Sequence, residues 1–98
     1  MIIVTGSILA KPGHDEQLLA ASLEHVRRSR GEPGCIAHAV HRDAENPLRL
    51  VFVEEWADRA ALQAHFAVPA SRAFVKAAAA FAAAAPAMQV YEAQPLKL

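Results

Sequence analysis

From Ile2 to Ala10 the chain is rich in β-branched and apolar side chains, and Lys11-Pro12-Gly13 stops the run, which predicts a strand closed by a turn. From His14 the period lengthens. Leu18, Leu19, Ser22, Leu23 and Val26 fall on one helical stripe, Asp15 and Glu16 sit in a first turn where carboxylates suit the helix dipole, and Arg27, Arg28 and Arg30 fill the last turn before Gly31. Glu32-Pro33-Gly34 then turns the chain into a second strand, Cys35 to Arg42, and Asp43-Ala44-Glu45-Asn46-Pro47 forms a loop into a third, Leu48 to Trp56. Asp58 is placed to cap a short helix through Phe66, Pro69 allows a break, and a second helical piece runs from Ala70 to Ala85. After Pro86 the alternation returns as a fourth strand, Met88 to Ala93, and Pro95 begins a short tail.

The order β-α-β-β-α-β is an α+β, ferredoxin-like split βαβ: a four-stranded antiparallel sheet with both helical segments on one face. The domain is expected to span 1–98, with its core over about 1–94 and a tail over 95–98. One face of such a sheet should meet water, yet the third strand is apolar on both. Leu48, Leu50, Phe52 and Trp56 share one side, and Val51 and Val53 lie on the other. Two helical segments cover one face only, so the pattern predicts a homodimer in which a second copy packs its sheet against this one, closing a dimeric α+β barrel.

Charge and composition narrow the function classes. Ten acidic and ten basic side chains cancel without a run of either sign, which predicts neither a nucleic-acid nor a membrane partner. Cys35 is the only cysteine, which excludes an internal disulfide and fits a reducing, cytoplasmic setting. The opening Met1–Ser7 has no basic residue ahead of its apolar run and turns polar too soon for a secretory signal. The alanine block from Ala77 to Ala87, interrupted by Phe81 and ended at Pro86, is read as a helix end without a function of its own.

Candidate chemistry concentrates in Arg49–Trp56 and the helix after it. By alternation the third strand delivers Glu54 and Trp56 to the inward face, and the helix returns His65 and Phe66 towards them. His38 lies on the second strand, on one face with Ile36 and Val40. Glu54, inward and ionisable, needs a partner, and Arg72 or a second subunit is the expected one. His38 and His41 are three apart on a strand and so point to opposite faces, and no metal site is expected from them. His14 and His25 read as solvated helix residues, Cys35 as a small buried hydrophobe, and Tyr91 and Phe74 as core.

Lys11-Pro12-Gly13, Glu32-Pro33-Gly34-Cys35, Asn46-Pro47, Glu54-Glu55-Trp56 and Leu62-Gln63-Ala64-His65 stand in an order and spacing that resembles the antibiotic biosynthesis monooxygenase domain of the dimeric α+β barrel superfamily. The resemblance runs from Met1 to about Gln94. It implies a homodimer with a small-molecule cleft between sheet and helices in each subunit. The activity it implies is oxygenation of quinols or polyphenols without flavin, haem or metal, so no cofactor is expected. Two departures stand out. Some oxygenating members carry an asparagine where this chain has Phe52, which leaves Thr5, Ser7 or His38 to hold a substrate oxygen. Haem-degrading members use an asparagine on the first strand and a histidine late in the second helical region, whereas this chain offers Thr5-Gly6-Ser7 and Lys76–Ala80 there, which argues against that branch.

The reaction so implied needs a base to ionise a phenol, a flat apolar wall and little else. His65 is the expected general base, because imidazole titrates near neutral pH. Trp56, Phe52, His38, Phe66 and Glu54 are expected to shape the substrate pocket for a small aromatic or quinol-like ligand. Two alternatives remain at this stage: a non-catalytic, stress-associated or ligand-binding dimer of the same fold, and an isomerase of a small oxygenated metabolite in which His65 and His38 shuttle protons.

Overall fold

The computed structural model describes all 98 residues as β1 (Ile2–Leu9), α1 (Asp15–Ser29), β2 (Cys35–Asp43), β3 (Asn46–Trp56), α2 (Arg59–Ala67), α3 (Pro69–Phe81) and β4 (Ala87–Glu92). The sheet order is β2-β3-β1-β4 and every neighbouring pair is antiparallel. The expected α+β, ferredoxin-like sheet is therefore present. The helical segment after β3 is two helices, so the full order is β-α-β-β-α-α-β. Proline explains the division: Val68 is extended at ψ 125°, as a residue before proline tends to be, and Pro69 supplies the first turn of α3, where its missing N–H costs nothing.

Two boundaries differ from the sequence pattern for tertiary reasons. α3 stops at Phe81 rather than Ala85, because Ala82 turns extended and bridges to Ala10. The Ala83 N–H donates to the Leu9 carbonyl at 2.7 Å and the Lys11 N–H to that of Phe81 at 2.8 Å. Helix propensity in the alanine block loses to this pairing. The β2–β3 loop is also shorter than 43–47, since Asp43 already pairs with Asn46. The Glu45 N–H donates to Asp43 Oδ1 at 2.9 Å and the Leu48 N–H to Asn46 Oδ1 at 3.1 Å, which tightens the turn.

Along β3, Leu50, Phe52, Glu54 and Trp56 are buried beneath the helices. Opposite them on β2 a bulge between Cys35 and Ala37 breaks the alternation. Ile36, expected beside His38 and Val40, is the extra residue and is 57% exposed, while Cys35 takes the inward place across from Trp56. The core divides in two: Ile8, Ala10, Leu18, Val26, Leu50, Phe52, Ala78 and Ala82 form one cluster, and Ile2, Val4, Trp56 and Leu62 the other. Glu54 stands between them on β3. Tyr91, expected in the core, is exposed on the edge strand β4. No helix is long and apolar enough to cross a membrane.

Candidate active site

A cavity of about 510 Å3 opens between the helices and the β1–β4 side of the sheet. Phe52, Phe66, Phe74, Val75 and Met88 supply its apolar wall, and Glu54, His25, His65, Ser71 and Arg72 its polar groups. Each polar group arrives by a separate local device.

His65 is carried in the last turn of α2, whose start is fixed by Asp58: its Oδ1 accepts the Ala61 N–H at 2.9 Å. Glu32 meets it from the turn before β2, with Oε1 2.8 Å from His65 Nδ1. That meeting depends on Gly34. Its φ is +80°, and a Cβ there would stand 2.5 Å from the Ala61 Cβ, so only glycine lets the turn lie against α2. The Ala57 N–H donates to the Gly34 carbonyl at 2.8 Å and fixes the contact. Because a carboxylate can only accept, His65 Nδ1 carries a hydrogen, and in the neutral ring the lone pair is then on Nε2.

His25 is buried, at 6% exposure, and not solvated as the helix pattern implied. It follows Leu18 by seven and Ser22 by three, on the inward stripe with Val26 and Ser29. Its ring stacks on Phe74 at 4.2 Å, and Arg28 Nη2 lies 2.6 Å from its Nδ1. His25, His38 and His65 face one another with ring centroids 5.2 to 5.6 Å apart.

Glu54 does not pair with Arg72. Its Oε1 accepts the Trp56 indole N–H at 2.9 Å and lies 3.2 Å from His38 Nε2. The latter contact is an ion-pair approach rather than an aligned hydrogen bond, and neither His38 nitrogen has an aligned partner. Among the residues expected to line the pocket, Phe52, Phe66 and Glu54 do, as does His65. Trp56 and His38 lie behind that wall: Trp56 is fully buried with its ring 4.6 Å from that of His65, and His38 sits edge-on to it. Of the three residues left to replace the asparagine, only Ser7 borders the cavity, and its pairing with Val51 puts its side chain on the opposite sheet face. Ser71, which the sequence did not single out, lines it with a buried hydroxyl that has no hydrogen-bond partner.

Burial by itself would push the Glu54 carboxyl up, but contact with His38, the Trp56 N–H and the nearby His65 outweigh it and leave the group below the ordinary carboxylate value. His25 is lowered to about 3 by burial first, then by His38, His65 and Arg28, and so is neutral. Burial, with Glu32 and Glu54, raises the Cys35 thiol, which argues against a thiolate. The arrangement thus offers an oriented imidazole, a buried carboxylate and an aromatic enclosure, the parts needed to take a proton from an apolar acid.

Comparison with known proteins places this geometry. The family model described as antibiotic biosynthesis monooxygenase matches residues 1–77. The chain belongs to the antibiotic biosynthesis monooxygenase family. A solved structure of an antibiotic biosynthesis monooxygenase is 32% identical and superposes with a TM-score of 0.89, covering 97% of this chain and 100% of that one. A Pseudomonas aeruginosa protein, PA3566, is 26% identical with a TM-score of 0.86 over 96% of this chain and 94% of its own. A Deinococcus radiodurans structure gives a TM-score of 0.94 over 100% of this chain and 97% of its own at 23% identity, a likeness of fold alone. An uncharacterised Synechocystis protein is 39% identical over 75 residues, which are 76% of this chain and 51% of that protein, so the chain spans about half the length of that curated relative. Within this fold the polar interior of the chain is the histidine trio with Glu32 and Glu54 beside it.

Proposed function

We propose that this protein is a monooxygenase that oxidises a quinol, polyphenol or similar small aromatic with O2, using His65 as general base and no organic cofactor. The observation that carries the reading is the His65–Glu32 pair, 2.8 Å apart, on the wall of an aromatic cavity. Glu32 holds the imidazole in the tautomer whose free Nε2 takes the phenolic proton, and stabilises the imidazolium that results. The phenolate then passes electrons to O2, which the neutral phenol does poorly. For a quinol the balance is quinol plus O2 giving hydroxyquinone plus water: one oxygen atom enters the ring, the other leaves as water, and the ring supplies all four electrons. Phe52, Phe66 and Phe74 hold the ring. Trp56 and His38 act through Glu54 rather than by touching the ring.

A second copy of this chain completes the reading. Leu9 and Val53, on the sheet face away from the helices, are 39% and 40% exposed, with Val51 between them on that face, and a sheet packed against this face would bury them. A hydrodynamic mass equal to one chain would remove the dimer.

The test of function is O2 uptake against a panel of quinols and hydroxylated polyaromatics, with His65→Ala as control. Turnover is expected above autoxidation and to fall roughly a hundredfold or more in His65→Ala with substrate binding retained. Binding without uptake across the panel would favour the ligand-binding alternative, for which the missing asparagine at Phe52 is the supporting observation.

A further inference from the structure

Three imidazoles in the interior of so small a domain call for an account that one general base does not give. His25 comes from α1, His38 from β2 and His65 from α2, each at most 6% exposed, and one ring nitrogen from each lies within 4.8 Å of the others. Buried polar rings are expensive unless partnered. Yet both nitrogens of His38, and the second oxygen of Glu32, are buried without a hydrogen-bond partner.

The pairing of the rings is also directional. Glu32 lies on Nδ1 of His65 and Glu54 stands beside Nε2 of His38, while His25 faces Arg28. A carboxylate beside two of the three imidazoles is the outer shell typical of metal-ligating histidines, where it orients the ring and raises ligand basicity. We propose that His25, His38 and His65 form a three-histidine site for a first-row transition-metal dication, with its remaining coordination position open to the cavity that His25 and His65 line.

Ligand type and charge support this choice. An all-imidazole set suits zinc, copper, iron or nickel rather than calcium or magnesium. Glu32 and Glu54 stand beside the dication's ligands and offer carboxylates to offset its charge. Three histidines with one open position is the arrangement of a catalytic rather than a structural zinc site. Metal–nitrogen bonds of about 2.0–2.1 Å put the nitrogens of a tetrahedral set about 3.3–3.4 Å apart, so a spacing of up to 4.8 Å must close by as much as about 1.4 Å. Arg28 is the group that must yield. Its Nη2 sits 2.6 Å from His25 Nδ1 and donates to it, so binding through either nitrogen of His25 requires Arg28 to swing from the ring towards solvent.

The inference and the oxygenase reading call on the same His65 Nε2 lone pair, so a bound ion displaces His65 as base; metal binding is measured without turnover, and the two readings can therefore fail separately. Chelator-treated full-length protein is titrated with Co2+ followed by visible absorption, and Zn2+ is then used to displace it. One equivalent per chain is expected, with ligand-field bands lost on adding Zn2+. Glu32→Gln and Glu54→Gln should each weaken Zn2+ by ~10–100-fold, and His25→Gln, His38→Gln and His65→Gln by at least as much. His14→Gln and His41→Gln should leave it unchanged. Because His38 variants are open to misfolding, ring-nitrogen NMR of the unaltered protein is the second arm: Zn2+ should shift the ring nitrogens of His25, His38 and His65 alone. No binding at one equivalent, shifts confined to His14 or His41, or affinity indifferent to the three histidines would each overturn the site. Quinol turnover by metal-free protein would support His65 as base and leave this titration to be judged by itself.

Discussion

The interior beneath the helices has two unlike ends, and β3 runs through both. At one end Leu50 and Phe52 meet Ile8, Leu18 and Val26, an apolar cluster with no ionisable group in it. One strand repeat further on, Glu54 meets His38 and Trp56 in a space the same helices cover, and His25 and His65 close over it. β3 alternates alike at both ends, although β2 carries its bulge opposite the second, and the inward side chains differ. The first end gains from removing apolar surface from water, while the second keeps several polar groups dry and satisfies them imperfectly. Stability should therefore reside mainly in the first end and chemistry in the second.

The sharpest way to break the contrast is to truncate each end on the same strand. Leu50→Ala removes a fully buried side chain from the packed cluster and should cost about 2–5 kcal/mol, read from the urea midpoint. Glu54→Ala deprives the Trp56 N–H of its acceptor and His38 of its carboxylate, for about 1–3 kcal/mol. Glu54→Gln keeps an acceptor oxygen and should restore most of that loss. If Glu54→Ala costs more than Leu50→Ala, the polar end is a structural keystone and the division of labour fails.

The two ends also differ in how far the sequence reveals them. Period and turn chemistry are enough for the four strands and the inward aim of Glu54 and Trp56, because alternation is local. Ile36 was misplaced because a bulge cannot be seen in a period of two. α3 ended early because backbone pairing to Leu9 and Lys11 overrode alanine's preference, which is a tertiary effect. The site was the least legible part. His65 and Glu54 stood out as polar residues at inward positions, but His25 looked solvated among Glu24, Arg27 and Arg28, although its spacing from Leu18 and Ser22 places it inward. Glu32 looked like half of a turn. Only Gly34, lying against Ala61, turns Glu32 into the partner of a histidine 33 positions away.

The smallest expected effect is also the most selective probe of the polar end. His25 is neutral in the folded protein, held down to about 3 by burial, by His38 and His65 and by Arg28, with Glu54 opposing, whereas its unfolded value is the ordinary 6.5. As pH falls below 6.5 the unfolded chain takes up a proton that the folded one refuses, so stability falls with pH from 6.5 towards about 3. One such proton sets a ceiling of about 1.4 kcal/mol per pH unit, and partial solvation of the ring keeps the slope below it. Glu54 is lowered from 4.5, so its own acid loss begins only at lower pH, and measurement between pH 6.5 and 5 separates the two. His25→Gln keeps an acceptor for Arg28 but does not titrate. Thermal midpoints of the unaltered protein should fall over that range, and those of His25→Gln should fall less. Parallel curves would mean that His25 takes up its proton in the folded state, and that the polar end is wetter than its burial implies.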